Sequence, residues 1–180
     1  MATTKRTTKS KATEVETKPV KKNNRIPLDT EVPCASNVKG HLTYISKSPT
    51  GTSAEWDEFG SYQYLDVREL LLMRNTQKRF FDDNWISIKD TDDGEYTADD
   101  IYKFLRVDDK YGEFYDADNI ESFFDLNKEQ MEAKVSKMSR GMKELLSIMA
   151  VDKFDRGEID SIKKKDAIIE VLGIKLDEVD

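Results

Sequence analysis

One histidine, His41, and one cysteine, Cys34, are all that the 180 residues offer for imidazole or thiolate chemistry. A nucleophilic mechanism would need His41 as base, with Cys34 or a serine brought to it by the fold. No nucleophile-elbow pattern surrounds any serine, and His41 opens an alternating segment, which reads as a partly exposed strand histidine. A zinc site of the usual kind needs more than one Cys and one His. A calcium loop started at Asp152 places Gly157 and Ile159 correctly but puts Phe154, Arg156 and Lys163 where oxygen ligands belong. The run Asp152 to Gly157 is better read as a helix end with glycine at its cap. The paired carboxylates Asp82 and Asp83, Asp99 and Asp100, and Asp108 and Asp109 would need a cleft and shifted pKa values for acid–base work; they read as solvated surface. No phosphate-binding glycine loop occurs. The expectation is therefore no cofactor, no metal and no enzymatic activity.

Charge is more informative. The first 25 residues carry eight Lys or Arg against two Glu, net +6, and the remainder is net −13. With few large apolar side chains, residues 1–25 read as a disordered or extended basic arm. Its cations, Lys5, Arg6, Lys9, Lys11, Lys18, Lys21, Lys22 and Arg25, are the first candidate partner-binding residues. Three roles stay open for them: a solubilising terminus, nucleic-acid phosphate contacts, and docking on an acidic protein surface. No apolar run approaches the roughly 18 residues of a membrane span, and no signal-peptide pattern follows the basic start, so the expectation is a soluble, unsecreted chain with no membrane partner.

The elements that must position any site fall into two styles. Over residues 26–90 the pattern is short and two-fold. Thr30 to Ala35 contains Pro33 and reads as an edge or opening strand. His41 to Ser46 and Ala54 to Phe59 flank a Ser-Pro-Thr-Gly-Thr hairpin loop, and Gly60-Ser61 turns the third strand onto a fourth, Tyr62 to Leu65. Asp66 caps a short helix, and Trp85 to Ile88 closes the unit. These features predict a small SH3-like β unit. Residues 91–118 read as an acidic, solvated connection, with a short helix after the capping box that begins at Thr97. Over 119–180 the period is helical: Met131, Val135 and Met138 after a cap at Asn127, then Met142, Leu145 and Met149 after Ser139, then Ile162, Ile169 and Leu172 before Gly173. The expected fold class is α+β, a β unit followed by a C-terminal helical bundle. Most aromatics of the β unit must be core; any left exposed would be partner anchors, with Trp56, Phe59 and Tyr62 the candidates. Lys163-Lys164-Lys165 opens the last helix, where the dipole disfavours cations, and reads as a solvated face or a contact patch.

Several segments carry a resemblance: Arg25-Ile-Pro-Leu-Asp29, Val32-Pro-Cys-Ala-Ser36, Lys39 to Lys47, Trp56-Asp-Glu-Phe-Gly60, Leu70-Leu-Leu-Met-Arg74 and Gln77 to Ile86. Together they resemble small structural proteins encoded by tailed bacteriophages, of the head- or neck-associated type. The resemblance covers most of the chain, including the Lys/Thr-rich leader and the late amphipathic helix. It implies a non-enzymatic part of a particle, made in the host bacterial cytoplasm and present in many copies. Its partners would be capsid, portal or neck subunits. The alternative from another class is a nucleic-acid-binding accessory protein that uses the basic arm, against which stands the acidic body.

Overall fold

Strands β1 (Glu31–Ser36), β2 (Leu42–Tyr44), β3 (Ala54–Trp56) and β4 (Tyr62–Asp66) lead into helices α1 (Val67–Thr76) and α2 (Arg79–Asp82) and a last strand, β5 (Ile86–Ile88). Helix α3 (Ala98–Leu105) and a 3-10 turn (Asp108–Tyr111) come next, then α4 (Glu121–Phe124), α5 (Lys128–Val135), α6 (Arg140–Asp155) and α7 (Ile162–Leu172). This computed structural model describes residues 25–175, a mixed α+β chain with a small antiparallel sheet and several helices.

The strands form two antiparallel ladders, β4-β1-β5 and β2-β3. Strand β1 is therefore central, although Pro33 within it predicts an edge. The register explains the difference. Pro33 lies where the β5 ladder ends: its carbonyl accepts from the Lys89 N–H at 2.9 Å, and the donor that proline lacks is the one a longer β5 would have used. Strand β4 pairs with β1 rather than with β3, with Val32 opposite Leu65 and Ala35 opposite Tyr62. Gly60, at φ 80°, makes that possible by turning its N–H onto the Ser36 carbonyl at 2.8 Å.

Local capping agrees closely with the sequence. Asp66 accepts from the Glu69 N–H at 2.7 Å, Ser139 from Met142, and Thr97 and Asn127 each complete a reciprocal capping box, which satisfies donors that a helix start leaves unpaired. Helix α2 has no counterpart among the sequence expectations. Its Phe80 and Phe81 are both buried, and four residues are too few for a periodic signal.

Two cores result. The first gathers Val32, Tyr44, Trp56, Leu70, Ile86 and, from α3 and beyond, Ile101, Tyr102, Leu105 and Val107. The second gathers Tyr115, Phe123, Met131, Met142, Leu146 and Ile168, with α7 packed on α5 and α6. The 91–118 stretch is thus divided rather than a solvated connection: its first part completes the first core and its last part joins the second. The acidic residues Asp99 and Asp100 sit on the outer face of α3 while Ile101 and Leu105, one turn apart, face inward; a charge count over the whole stretch averages the two faces. The cores are docked. Gly141 of α6 lies so close to the Asp83 carbonyl that a Cβ there would overlap it, and Lys39 meets Asp152 at 2.6 Å.

Strand β5 is an edge, and its outward groups are closed by two tyrosines. The Ile88 N–H donates to the Tyr102 hydroxyl at 2.7 Å, and the Tyr111 hydroxyl donates to the Ile86 carbonyl at 2.8 Å. The two rings stack with centroids 4.1 Å apart. Burial pushes both hydroxyls well above the ordinary tyrosine pKa, so they stay protonated in neutral and mildly alkaline solution. Tyr102→Phe removes the acceptor from a buried N–H and is expected to cost about 1–3 kcal/mol in urea unfolding. Hydrogen exchange at the Ile88 amide is expected to speed up; unchanged exchange there would remove the edge-sealing role.

Candidate partner-binding surface

The residues with nucleophilic chemistry are not brought together. Cys34 is fully buried in β1, its thiol directed to the Val32 carbonyl and pushed up to about 12 by burial. His41 lies on the surface, its Nε2 3.0 Å from Thr43 Oγ1 and its Nδ1 3.8 Å from a carboxylate oxygen of Asp57. That order of groups matches a hydroxyl–imidazole–carboxylate relay, but 3.8 Å is beyond hydrogen-bond length and the Asp57 side chain is 96% exposed, so water competes for every contact. Among the described residues no group of three or more His, Cys, Asp or Glu is placed to hold a metal ion, and no helix is long and apolar enough to cross a membrane.

The surface with distinctive chemistry is the outer face of the three-stranded sheet. Alternation puts Val32, Cys34, Leu65, Ile86 and Ile88 toward the core, so Pro33, Tyr62 and Tyr64 share the other side through the pairing of Pro33 with Tyr64 and Ala35 with Tyr62. Tyr62 and Tyr64 are 47% and 49% exposed. With Tyr102 and Phe114 they line a groove of about 690 Å³, which also contains Lys89, Asp90, Asp92 and Asp116. The Tyr64 hydroxyl donates to Asp92 at 3.0 Å, and the carboxylate raises its pKa.

Lys89 pins the far wall of the groove. Its Nζ lies 2.5 Å from both Asp116 and Asp118, which straps the segment entering the second core to the residue following β5. Asp116 is buried and also accepts from the Asp118 N–H at 3.0 Å. Burial of Lys89 opposes its charge, and the hydrogen bonds and attraction of the two carboxylates outweigh it, so its pKa is raised.

The expected partner residues divide three ways. Lys5, Arg6, Lys9, Lys11, Lys18, Lys21 and Lys22 lie outside the described residues; Arg25 is within them and exposed. Trp56 is corrected: it is wholly buried, its indole N–H donating to the Cys34 carbonyl at 2.8 Å, because a β hairpin this small needs its largest side chain inside. Phe59 packs partly buried against the second core. Tyr62 is exposed, and the structure adds Tyr64 and Phe114 to it. The Tyr-x-Tyr spacing on a strand was the available signal for Tyr64; Phe114 comes from a separate segment with no such signal.

Lys89→Met is expected to lower unfolding free energy by about 2 kcal/mol at neutral pH by leaving Asp116 without its cation. A lysine pKa raised in the folded state stabilises fully below the unfolded value and loses that contribution as pH climbs through the folded one. The difference between the parent chain and Lys89→Met should therefore hold constant from mildly acidic to mildly alkaline solution and shrink only above the ordinary value of 10.5. A second expectation concerns Cys34: a thiol reagent should label it slowly in the folded chain and fast in denaturant; fast labelling of folded protein would contradict its burial.

Comparison of this chain with protein-family models, with curated proteins and with solved structures finds no match in any of the three.

Proposed function

We propose that the chain is a non-enzymatic structural or accessory protein of a tailed-bacteriophage particle, docking onto neighbouring capsid, portal or neck subunits through its basic N-terminal arm and the outer face of its sheet. In this reading the first core is a small SH3-like unit and the second a helical bundle, and the protein is made in the host bacterial cytoplasm and resides in the virion. The observation that carries the proposal is the pair Tyr62 and Tyr64, half exposed and adjacent on a paired strand. Rigid aromatic area of this kind is what protein interfaces use as anchors, since little side-chain freedom remains to be lost on binding. Asp90 and Asp92 beside them favour a neighbour that presents lysine or arginine to the tyrosine faces. The charge split of the chain and the resemblance of its sequence to particle proteins support the same reading. On a symmetric lattice, many weak contacts of this kind act with avidity.

The test is Tyr62→Ser with Tyr64→Ser in a phage that encodes the chain. Because neither residue is core, the purified variant should keep its unfolding free energy to within about 1 kcal/mol, yet it should be depleted from purified particles. Cryo-EM of particles with the parent chain should show density for Lys5 to Arg25 crossing adjacent subunits. Full incorporation of the double variant would sink the role given to the sheet face. Absence of the protein from every particle would sink the virion reading itself.

A further inference from the structure

A second concavity, away from the sheet face, is lined by Arg74, Lys78, Arg106 and Lys110. The four come from four different elements: the last turn of α1, the start of α2, the cap of α3 and the 3-10 turn. The cavity is about 270 Å³, Phe81 and Val107 contribute buried apolar wall, and Asp82 is the one carboxylate in the lining.

Two observations bear on this cluster. The chain has an excess of carboxylates, and six lysines elsewhere each lie within 2.7 Å of one: Lys39, Lys89, Lys103, Lys128, Lys134 and Lys153. Lys78 and Arg106, like several other exposed lysines and arginines, hold no ion pair among the described residues, and Lys110 is 3.6 Å from Asp82 and 3.7 Å from Asp109. Gathering four cations around a cavity with one carboxylate in its lining raises the energy of the folded chain unless an external anion neutralises the excess. The second observation is backbone strain. Arg106 caps α3 in the left-handed region at φ 56° and ψ 48°, a conformation for which α6 and α7 use Gly157 and Gly173. A side chain is disfavoured there, and strain of this kind concentrates where a side chain is needed in place.

The end of α3 does not oppose an anion as a bare helix C-terminus would. Arg74 Nη1 donates to the Leu105 carbonyl at 2.6 Å, and the N–H groups of Arg106 and Val107 cover the Lys103 and Tyr102 carbonyls. Lys78 and Arg106 are then free to face a ligand. We infer that this pocket binds a phosphate group, whether free or within a nucleic-acid backbone. The guanidinium fork of Arg106 and the ammonium groups of Lys78 and Lys110, lining one cavity from three elements, match a multiply charged tetrahedral oxyanion better than a single carboxylate, while Arg74 is held by the Leu105 carbonyl and the Asn75 side chain. The inference is independent of the sheet face and of the arm.

The experiment is amide NMR of the full chain titrated with inorganic phosphate, then with a short double-stranded oligonucleotide, with sodium chloride at equal ionic strength as reference. Amides of Lys78, Arg106 and Val107 should shift with phosphate and not with chloride. Arg106→Gly should weaken that binding about tenfold while raising the melting temperature, because glycine relieves the strain and removes the charge together. Lys78→Gln should weaken binding without the gain in stability. Stronger pocket shifts with the oligonucleotide assign a nucleic-acid backbone, and shifts with phosphate alone assign the free ion. No shift with either ligand overturns the inference, as does binding left unchanged by both substitutions. An oligonucleotide that binds without moving these amides would also count against the pocket.

Discussion

The closing of the β5 edge by Tyr102 and Tyr111 is the constraint on which the rest of the arrangement depends. A three-residue strand at the rim of a three-stranded sheet has outward N–H and C=O groups that neither water nor another strand reaches once α3 covers them. The hydroxyls that satisfy them come from 14 and 25 residues further along the chain. That requirement draws the acidic segment back onto the β unit, seats Ile101 and Leu105 in the first core, and sets where the second core starts. Asn84 reinforces the same corner: its carbonyl accepts from Asn37 and its side-chain amide donates to the Lys110 carbonyl. The loop before β5 and the turn after α3 are thus tied to each other.

With α3 fixed there, the C-terminal half of the chain has little freedom of placement. Lys89 meets Asp116 and Asp118, Phe59 reaches the second core, and Gly141 lets α6 approach the Asp83 carbonyl. The two cores meet through polar straps, one close backbone approach, and the aromatic contacts of Phe59 with the second core and of Tyr111 with Phe114. Such a junction orients the parts relative to each other. The sheet's outer face is left with two tyrosines partly in water, and the far corner is left with four cations around one cavity.

These two surfaces have opposite electrostatic character on one acidic body. Carboxylates flank the aromatic groove, which suits it to a cationic or apolar neighbour. The Arg106 corner suits an anion. A particle component that contacts protein on one side and a phosphate-bearing partner on another would use both, and neither use requires the buried thiol or the solvated imidazole.

Local features were legible in the sequence because they depend on a few adjacent residues: the caps at Asp66, Thr97, Asn127 and Ser139, the hairpin loop between β2 and β3, the helical periods of α5 and α6, and the glycine stop at Gly173; in α7 the expected inward residue Ile162 is instead exposed and Ile168 is the buried one. What sequence alone could not decide was which strands pair and which segments close which core, since those depend on contacts between distant residues. Pro33 predicts an edge until the ladder shows that its missing donor coincides with the end of β5. The acidity of residues 91–118 predicts a linker until Tyr102 and Tyr111 are needed as partners for a buried edge. Trp56 and Tyr62 are indistinguishable as strand aromatics, and only the packing of β3 over Cys34 buries one and leaves the other out. The Arg106 cluster was wholly hidden, because its four cations are scattered over 37 residues and become a site only when the ends of three helices and a 3-10 turn meet. The sequence by itself determined the polarity of the chain and most of its helical and extended segments, through side-chain chemistry and near-neighbour geometry. Tertiary structure decided which polar groups are buried, and so which residues remain free to bind.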